Sequence, residues 1–404
     1  MDSDWRDTTL GEFVTLQRGH DLTDAERRPG TVPVVGAAGQ NGFHDKAVAK
    51  GPGIVVGRSG ASFGQVHYCQ TAFWPHNTGL YVTDFRGNDP RFAFYFLKAL
   101  DFSRYNSGSA QPSLNRNFIY PIEIRVPSLS AQRAIARILG TLDDKIELNR
   151  QMNETLEAMA RALFKAWFVD FEPVRAKAEG RDTGLPKDIA DLFPDSFEDS
   201  ELGEVPKGWQ VGTLPEFIEV NPSRSLPKGQ IAPYLDMANV PTNTARADQV
   251  VEREFGSGTK FKNGDTLLAR ITPCLENGKT AYVDFLNDNQ VGWGSTEFIV
   301  MRPKAPLPPE FAYFLARDES FRTFAISNMT GTSGRQRVPA DCFNNYVMAA
   351  PAEGIAMAFG HQASVVMQKI KANDEETSTL AAQRDTLLPK LLTGELKCSN
   401  IIGG

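Results

Sequence analysis

Residues 130–171 read SAQRAIARILGTLDDKIELNRQMNETLEAMARALFKAWFVDF, and the rest of the chain is organised around this stretch. Within it Ile135, Leu139, Leu142, Ile146, Asn149, Asn153, Leu156, Ala160, Leu163 and Trp167 are spaced alternately by four and three residues. Alternating 3/4 spacing over several heptads marks a long helix with a seam that faces a partner. Adding 224 to each number gives Phe359, Ala363, Val366, Ile370, Asn373, Thr377, Leu380, Arg384, Leu387 and Leu391, of which seven are apolar. The local text repeats too, Lys145-Ile146-Glu147-Leu148-Asn149 against Lys369-Ile370-Lys371-Ala372-Asn373. The two stretches are therefore expected to be helices that pack on each other.

The duplication extends beyond the helices. Trp5-Arg6-Asp7-Thr8-Thr9-Leu10-Gly11-Glu12-Phe13 and Trp209-Gln210-Val211-Gly212-Thr213-Leu214-Pro215-Glu216-Phe217 share the pattern W-x3-TL-x-EF. Each half then holds a strand-like run ending in arginine, Ile54–Arg58 and Thr266–Arg270. A short aromatic helix follows, Phe92–Leu100 and Phe311–Arg317, with Phe94-Tyr95-Phe96-Leu97 answering Ala312-Tyr313-Phe314-Leu315. A Gly/Ser/Thr loop and a last strand lead to Pro127 or Pro351, where the long helix begins. The chain thus reads as an α+β protein: one mixed α/β domain plus long helix, written twice, since two copies mean duplication rather than a solenoid. The expected segments are 1–128 (first domain), 129–171 (first helix), 172–208 (acidic linker), 209–351 (second domain), 352–396 (second helix) and 397–404 (tail).

Polar residues in the seam choose the packing direction. Reversing one helix about the seam's midpoint sets Asn153 near Asn373 and Asn149 near Thr377, a central polar layer of the kind that fixes register. An antiparallel coiled coil is expected. Gly140 costs the first helix about 1 kcal/mol relative to alanine. Pro389 is expected to kink or end the second helix.

Length and composition suit a multi-domain globular protein of 404 residues, 41% hydrophobic and 23% charged. No apolar run is long enough to span a bilayer, and Met1-Asp2-Ser3-Asp4-Trp5 is unlike a signal peptide, so a cytoplasmic protein with no membrane partner is expected. The net charge of −6 is local: residues 172–204 hold ten acids and four bases, leaving the remainder neutral. A neutral surface supplies no strong general grip on phosphates, so a DNA reader of this kind would need partners to help hold it. Four scattered cysteines and five histidines show no metal-ligand spacing; no metal site is expected.

Motifs that would indicate catalysis fail on context. Gly60-Ala61-Ser62-Phe63-Gly64 matches GxSxG, yet Gln65–Cys69 alternates like a strand where a nucleophile elbow needs a helix. No GxxxxGK[ST] occurs, so ATP binding by this chain is unsupported. Asn221-Pro222-Ser223-Arg224 is similar to the Asn-Pro-Pro-aromatic motif of adenine methyltransferases but lacks the second proline and the aromatic. A hydrolase using Ser62 and a coiled-coil scaffold that reads no DNA are the competing readings.

What remains are polar loops at equivalent places: Arg58, Ser59, Ser62, Ser109, Gln111, Asn115 and Arg116 in the first copy, and Arg270, Thr272, Thr332, Ser333, Arg335, Gln336 and Arg337 in the second. Such side chains read base edges and position phosphates. Two readers joined by a rigid helix pair suit a target with two separated half-sites.

With these features the chain resembles the specificity subunits of type I restriction–modification systems. Trp167-Phe168-Val169-Asp170-Phe171-Glu172-Pro173, Glu204-Val205-Pro206-Lys207-Gly208-Trp209 and Leu387-Leu388-Pro389-Lys390-Leu391-Leu392-Thr393-Gly394-Glu395-Leu396 carry the likeness, together with the twofold repeat. The resemblance implies two target recognition domains, each reading half of a split, asymmetric site in double-stranded DNA. It implies helices that act as a spacer and dock two methyltransferase subunits, and through them the restriction subunits. S-adenosylmethionine and ATP with magnesium would then belong to those partners, with no cofactor and no catalytic residue in this chain.

Overall fold

A computed structural model describes residues 5–108, 112–332 and 334–396. The chain divides into two compact units, the described parts of Met1–Glu147 with Glu376–Gly404, and Leu148–Glu375.

In the first unit, strand β1 (Trp5–Thr9) pairs antiparallel with the last strand of its domain, Glu123–Pro127. A helical turn, α1 (Leu10–Phe13), leads to an antiparallel sheet whose strands are β2 (Thr15–Arg18), β5 (Gly53–Gly57), β6 (Val66–Cys69) and β8 (Gly79–Asp84), in the order β2-β8-β5-β6. Every residue of β5 is buried, as its unbroken apolar run Ile54-Val55-Val56 requires. A smaller sheet, β4-β3-β7, is built from β3 (Val32–Gly36), β4 (Gly39–His44) and β7 (Trp74–Pro75), with β3 and β7 parallel. Helix α2 (Pro90–Ala99), capped by Asp89, lays Phe92, Phe96 and Leu97 into the core. After a turn, α3 (Arg116–Ile119), and the strand β9 (Glu123–Pro127), the long helix α4 (Leu129–Phe168) begins. Its Ile135 and Leu139 are buried in the same core as Leu391 of the C-terminal helix.

The second unit repeats this plan. After helices α5 (Glu172–Ala178) and α6 (Lys187–Ala190) comes a hairpin of β10 (Phe197–Ser200) and β11 (Gly203–Pro206). Strand β12 (Gln210–Thr213) then pairs antiparallel with the domain's last strand, Val347–Ala350. The turn α7 (Leu214–Phe217) follows. Strands β13 (Ile218–Val220), β17 (Thr266–Ala269), β18 (Thr280–Tyr282) and β20 (Phe298–Pro303) make the sheet β13-β20-β17-β18. Its order matches that of the first sheet. Strands β14 (Ile231–Leu235), β15 (Val251–Glu254), β16 (Thr259–Phe261) and β19 (Gly292–Gly294) make the smaller sheet β15-β14-β19-β16, again with one parallel pair, β14 and β19. Helices α8 (Pro309–Arg317) and α9 (Glu319–Ser327) follow, and β21 (Val347–Ala350) hands over to α10 (Glu353–Thr393).

Within each unit the halves of α4 and α10 run antiparallel. In the second unit Asn149 Nδ2 donates to the Asn373 carbonyl (3.3 Å), Asn153 Nδ2 to that of Ile370 (3.3 Å), and the Phe164 ring meets Phe359. Numbers that rise along one helix fall along the other. The expected polar layer forms, with Asn373 Nδ2 donating to Asn153 Oδ1 at 2.7 Å. In the first unit Asp143 pairs with Arg384 (2.7 Å) and Lys145 with Glu376 (3.1 Å) in the same sense.

Seam positions differ in depth. Ile135, Leu139, Asn149, Asn153, Trp167, Phe359, Ile370 and Asn373 are buried. Leu142, Ile146, Leu156, Leu163, Val366, Leu380 and Leu387 are half-buried. Phe164 and Met367, absent from the expected seam, are buried as well: Phe164 meets Phe311 and Phe359 edge-on and stacks on Phe314, so the second α/β domain covers that flank.

Three expectations need correction. Helix α4 ends at Phe168 rather than Phe171, because Phe171 takes the left-handed conformation (φ 55°) and turns its ring onto Trp209. The 172–208 stretch is folded: Val174, Phe193 and Val205 are buried in the core, with Trp167 edge-on to Phe193. Pro389 does not end α10, which continues to Thr393. Burial of Leu391 and contacts of Leu387, Leu388 and Leu392 with the first core offset the proline's local penalty.

Candidate nucleic-acid interface

The candidate loops are built the same way in both units. Strand β5 delivers Arg58, whose N–H donates to the Thr78 carbonyl and whose carbonyl accepts from Leu114 N–H, both at 2.8 Å. Strand β17 delivers Arg270, whose N–H donates to the Glu297 carbonyl (2.9 Å) and whose carbonyl accepts from Val338 N–H (2.8 Å). Bridges between Ser59 and Ser113, and between Ile271 and Arg337, continue the match. The turn after the buried central strand is thus stitched, in each unit, to the loop that precedes the last strand. Two stretches about 50 to 70 residues apart become one surface.

The individual side chains divide into free and engaged. In the first unit Arg58 is half-buried and donates Nη1 to the Asn77 carbonyl (3.1 Å). Asn106 Oδ1 accepts from both Gly108 and Ser113 N–H; the candidates Ser109 and Gln111 lie outside the described residues. Asn115 caps α3 through the Asn117 N–H (3.0 Å), and Arg116 Nη1 donates to the Leu16 carbonyl (2.9 Å). Both are used to hold local structure.

In the second unit Thr272 Oγ1 donates to the Gln336 carbonyl (3.4 Å), and that carbonyl also accepts from the Thr272 N–H. Gln336 is half-buried; Thr332 and Arg335 are exposed; Ser333 lies outside the described residues. Arg337 grips Glu297 with Nε (2.9 Å to either oxygen) and Nη2 (2.7 Å), which raises the guanidinium pKa further. The Nε of Arg270 is buried without an acceptor among the described residues. Burial pushes the nearby Cys342 thiol up to about 11, so it stays protonated at neutral pH.

Features that suggested catalysis are structural. The residues Gly60–Gly64 form a turn between strands, with Ser62 half-buried and β6 rather than a helix following. His67, on that strand, is hydrogen-bonded to the Ala37 carbonyl (2.9 Å). Arg224 is paired with Asp265 (2.9 Å), a fully buried carboxylate that Arg302 also holds, and Asn221 Oδ1 accepts from Val300 N–H. Among the described residues no group of three or more His, Cys, Asp or Glu side chains could hold a metal, and no helix is long and apolar enough to cross a membrane.

One pair of surfaces was not legible beforehand. Parallel pairing sets Trp74 opposite Val34 in the first small sheet and Trp293 opposite Tyr234 in the second. Trp74 stands edge-on to His44, and its indole N–H reaches the His20 carbonyl. The exposed Arg253 guanidinium lies over Tyr234 (4.7 Å) and Trp293 (5.7 Å). A cation fixed on aromatic faces is a partly desolvated donor set, suited to phosphates and bases. The two tryptophans are visible in the sequence, but their strand partners lie 40 to 59 residues away.

Comparison with known proteins gives one consistent family. Residues 2–158 match the model of the type I restriction modification DNA specificity domain. The HindI specificity subunit of Haemophilus influenzae is 24% identical over 360 residues, spanning 76% of this chain and 77% of that protein. The MjaIX specificity subunit of Methanocaldococcus jannaschii is 27% identical over 325 residues, spanning 77% and 70%. A crystal structure of a type I restriction–modification S subunit from M. genitalium aligns over 97% of both chains with a TM-score of 0.61 at 17% identity, a likeness of fold.

Proposed function

From its similarity to type I restriction–modification specificity subunits, we propose that this chain belongs to that family and reads a bipartite, asymmetric site in double-stranded DNA, one half with each recognition domain. The observation that carries the reading is the repeated stitching of loop to loop, Leu114 to Arg58 and Val338 to Arg270. The same scaffold presents different side chains in its two copies, as readers of unlike half-sites must. The chain itself is not an enzyme: its role is recognition. The exposed faces of α4 and α10 are the docking surface for two methyltransferase subunits, and the restriction subunits join through them. S-adenosylmethionine is bound by the former and ATP with magnesium by the latter. The neutral charge outside residues 172–204 fits a reader whose hold on DNA is shared with those partners.

The test is a footprint of the chain with its methyltransferase partner on DNA carrying the mapped site. Replacing residues 330–337 by a Gly/Ser loop of equal length should erase protection over one half-site and leave the other. Loss of both halves to the same extent would contradict independent reading by two domains.

A further inference from the structure

Two tyrosines lie away from the candidate loops, each fully buried and each hydrogen-bonded to an acid of α4. In the first unit Tyr95 of α2 donates its hydroxyl to Asp143 Oδ2 at 2.6 Å. Asp143 also accepts from Arg384 Nη1 of α10 (2.7 Å). Beside it Arg91 spans Asp144 (2.6 and 2.9 Å) and the Gly140 carbonyl (3.0 Å). A Cβ on Gly140 would lie 2.6 Å from that guanidinium, so any larger residue there would have to push Arg91 out of this position. In the second unit Tyr313 of α8 donates to Glu157 Oε1, and Arg317 Nε donates back to the tyrosine oxygen (3.0 Å) while standing 3.9 Å from the carboxylate.

The tyrosines are repeat equivalents, but the acids are not. Position 143 plus 224 is Met367, a buried apolar residue, so the second domain finds no carboxylate at the matching place on its own helix. It uses Glu157 instead, two heptads after Asp143 on α4. Phenylalanine would fill either core without needing a buried acceptor. A buried hydroxyl aimed at a single carboxylate is satisfied in one orientation only, and turning the domain on the helix takes from the tyrosine the acceptor for its proton. Arg317 extends the second contact: its other nitrogens donate to the carbonyls of Thr242, Thr244, Gly278 and Thr280, and Gly278 closes the loop that begins at Ile271 beside the candidate interface.

We propose that Tyr95–Asp143 and Tyr313–Glu157 are orientation locks, positioning residues that fix how each recognition domain is held on α4 and thereby how strictly half-site spacing is enforced. This rests on the bipartite reading above. The test uses the full chain with its methyltransferase partner and duplexes whose spacer is native, one base pair longer or one shorter. Wild type should favour the native spacer. Tyr95→Phe and Tyr313→Phe should bind the native duplex within about twofold of wild type, yet lose about tenfold of their discrimination against the altered spacers. Should Tyr313→Phe fail to fold, Tyr95→Phe, whose acid is less deeply buried, carries the test. Unchanged discrimination in the folded variants overturns the locks and leaves the bipartite reading standing. An equal loss on all three duplexes overturns them as well, since it reduces the tyrosines to ordinary core residues. Wild type indifferent to spacer length overturns both.

Discussion

Arg335 and Arg337 are two positions apart and stand in different electrostatic situations. Arg337 already has a carboxylate in Glu297, whereas the exposed Arg335 side chain has no such partner among the described residues. A base contact by Arg337 would first have to break that clasp. Arg335→Ala should therefore weaken one half-site by about 1–3 kcal/mol if the contact is bidentate. Arg337→Ala should cost less at that half-site, because Glu297 already occupies the donors that a base would need. Competition binding with each half-site scrambled in turn measures both. A larger loss from Arg337→Ala would reverse the assignment. Glu157 makes a second prediction at this scale. Burial raises its pKa, against the attraction of Arg317 and the Tyr313 hydroxyl. The folded chain thus keeps this proton to higher pH than the unfolded chain. The stability this contributes is full below the unfolded pKa and is lost as pH rises through the folded one. Relative to Glu157→Gln, wild type should lose stability in urea unfolding as pH rises above the ordinary carboxylate range. A gap that widens with pH would contradict the cause given.

At the scale of the element, the helix pair combines a polar centre with aromatic packing. Asn149, Asn153 and Asn373 are buried and bonded across the seam. Replacing Asn153 and Asn373 together with leucine should keep or raise the melting temperature while loosening register. Cysteines placed at Lys145 and Glu376 would report it: one efficient cross-link in the parent, a weaker one in the double variant. Phe164 does the opposite work, meeting Phe168, Phe311, Phe314 and Phe359. Phe164→Ala should destabilise the second unit by about 3–5 kcal/mol in denaturant unfolding. The helices were legible because a 3/4 spacing is local and survives any tertiary context. Helix ends were less so. Phe171 stops α4 through a backbone angle, and Pro389 stays helical because Leu391 is buried beside it; neither cause is written in the neighbouring residues.

For the whole molecule, the duplication showed in the sequence because W-x3-TL-x-EF and the aromatic helices kept their order in both halves. The strand pattern repeats more faithfully than the residues do, β2-β8-β5-β6 against β13-β20-β17-β18. Small sheets escaped notice because their pairings, Val34 with Trp74 and Tyr234 with Trp293, join distant short strands. Acid and proline hid the fold of residues 172–208, where Val174, Phe193 and Val205 are scattered through a linker-like composition. Of the candidate site, the loops could be placed but not the state of each side chain, since the Glu297–Arg337 clasp depends on residues 40 apart. A four-residue insertion near Asn149 should lengthen the helix by about 6 Å and change the preferred spacer, as methylation mapping of that variant would read. The measurement that bears most directly on the central claim is the map of methylated adenines in a host carrying this chain and its methyltransferase partner. Two unlike sequence blocks at a constant separation are the predicted result; one uninterrupted recognition word, or methylation without sequence preference, would contradict it.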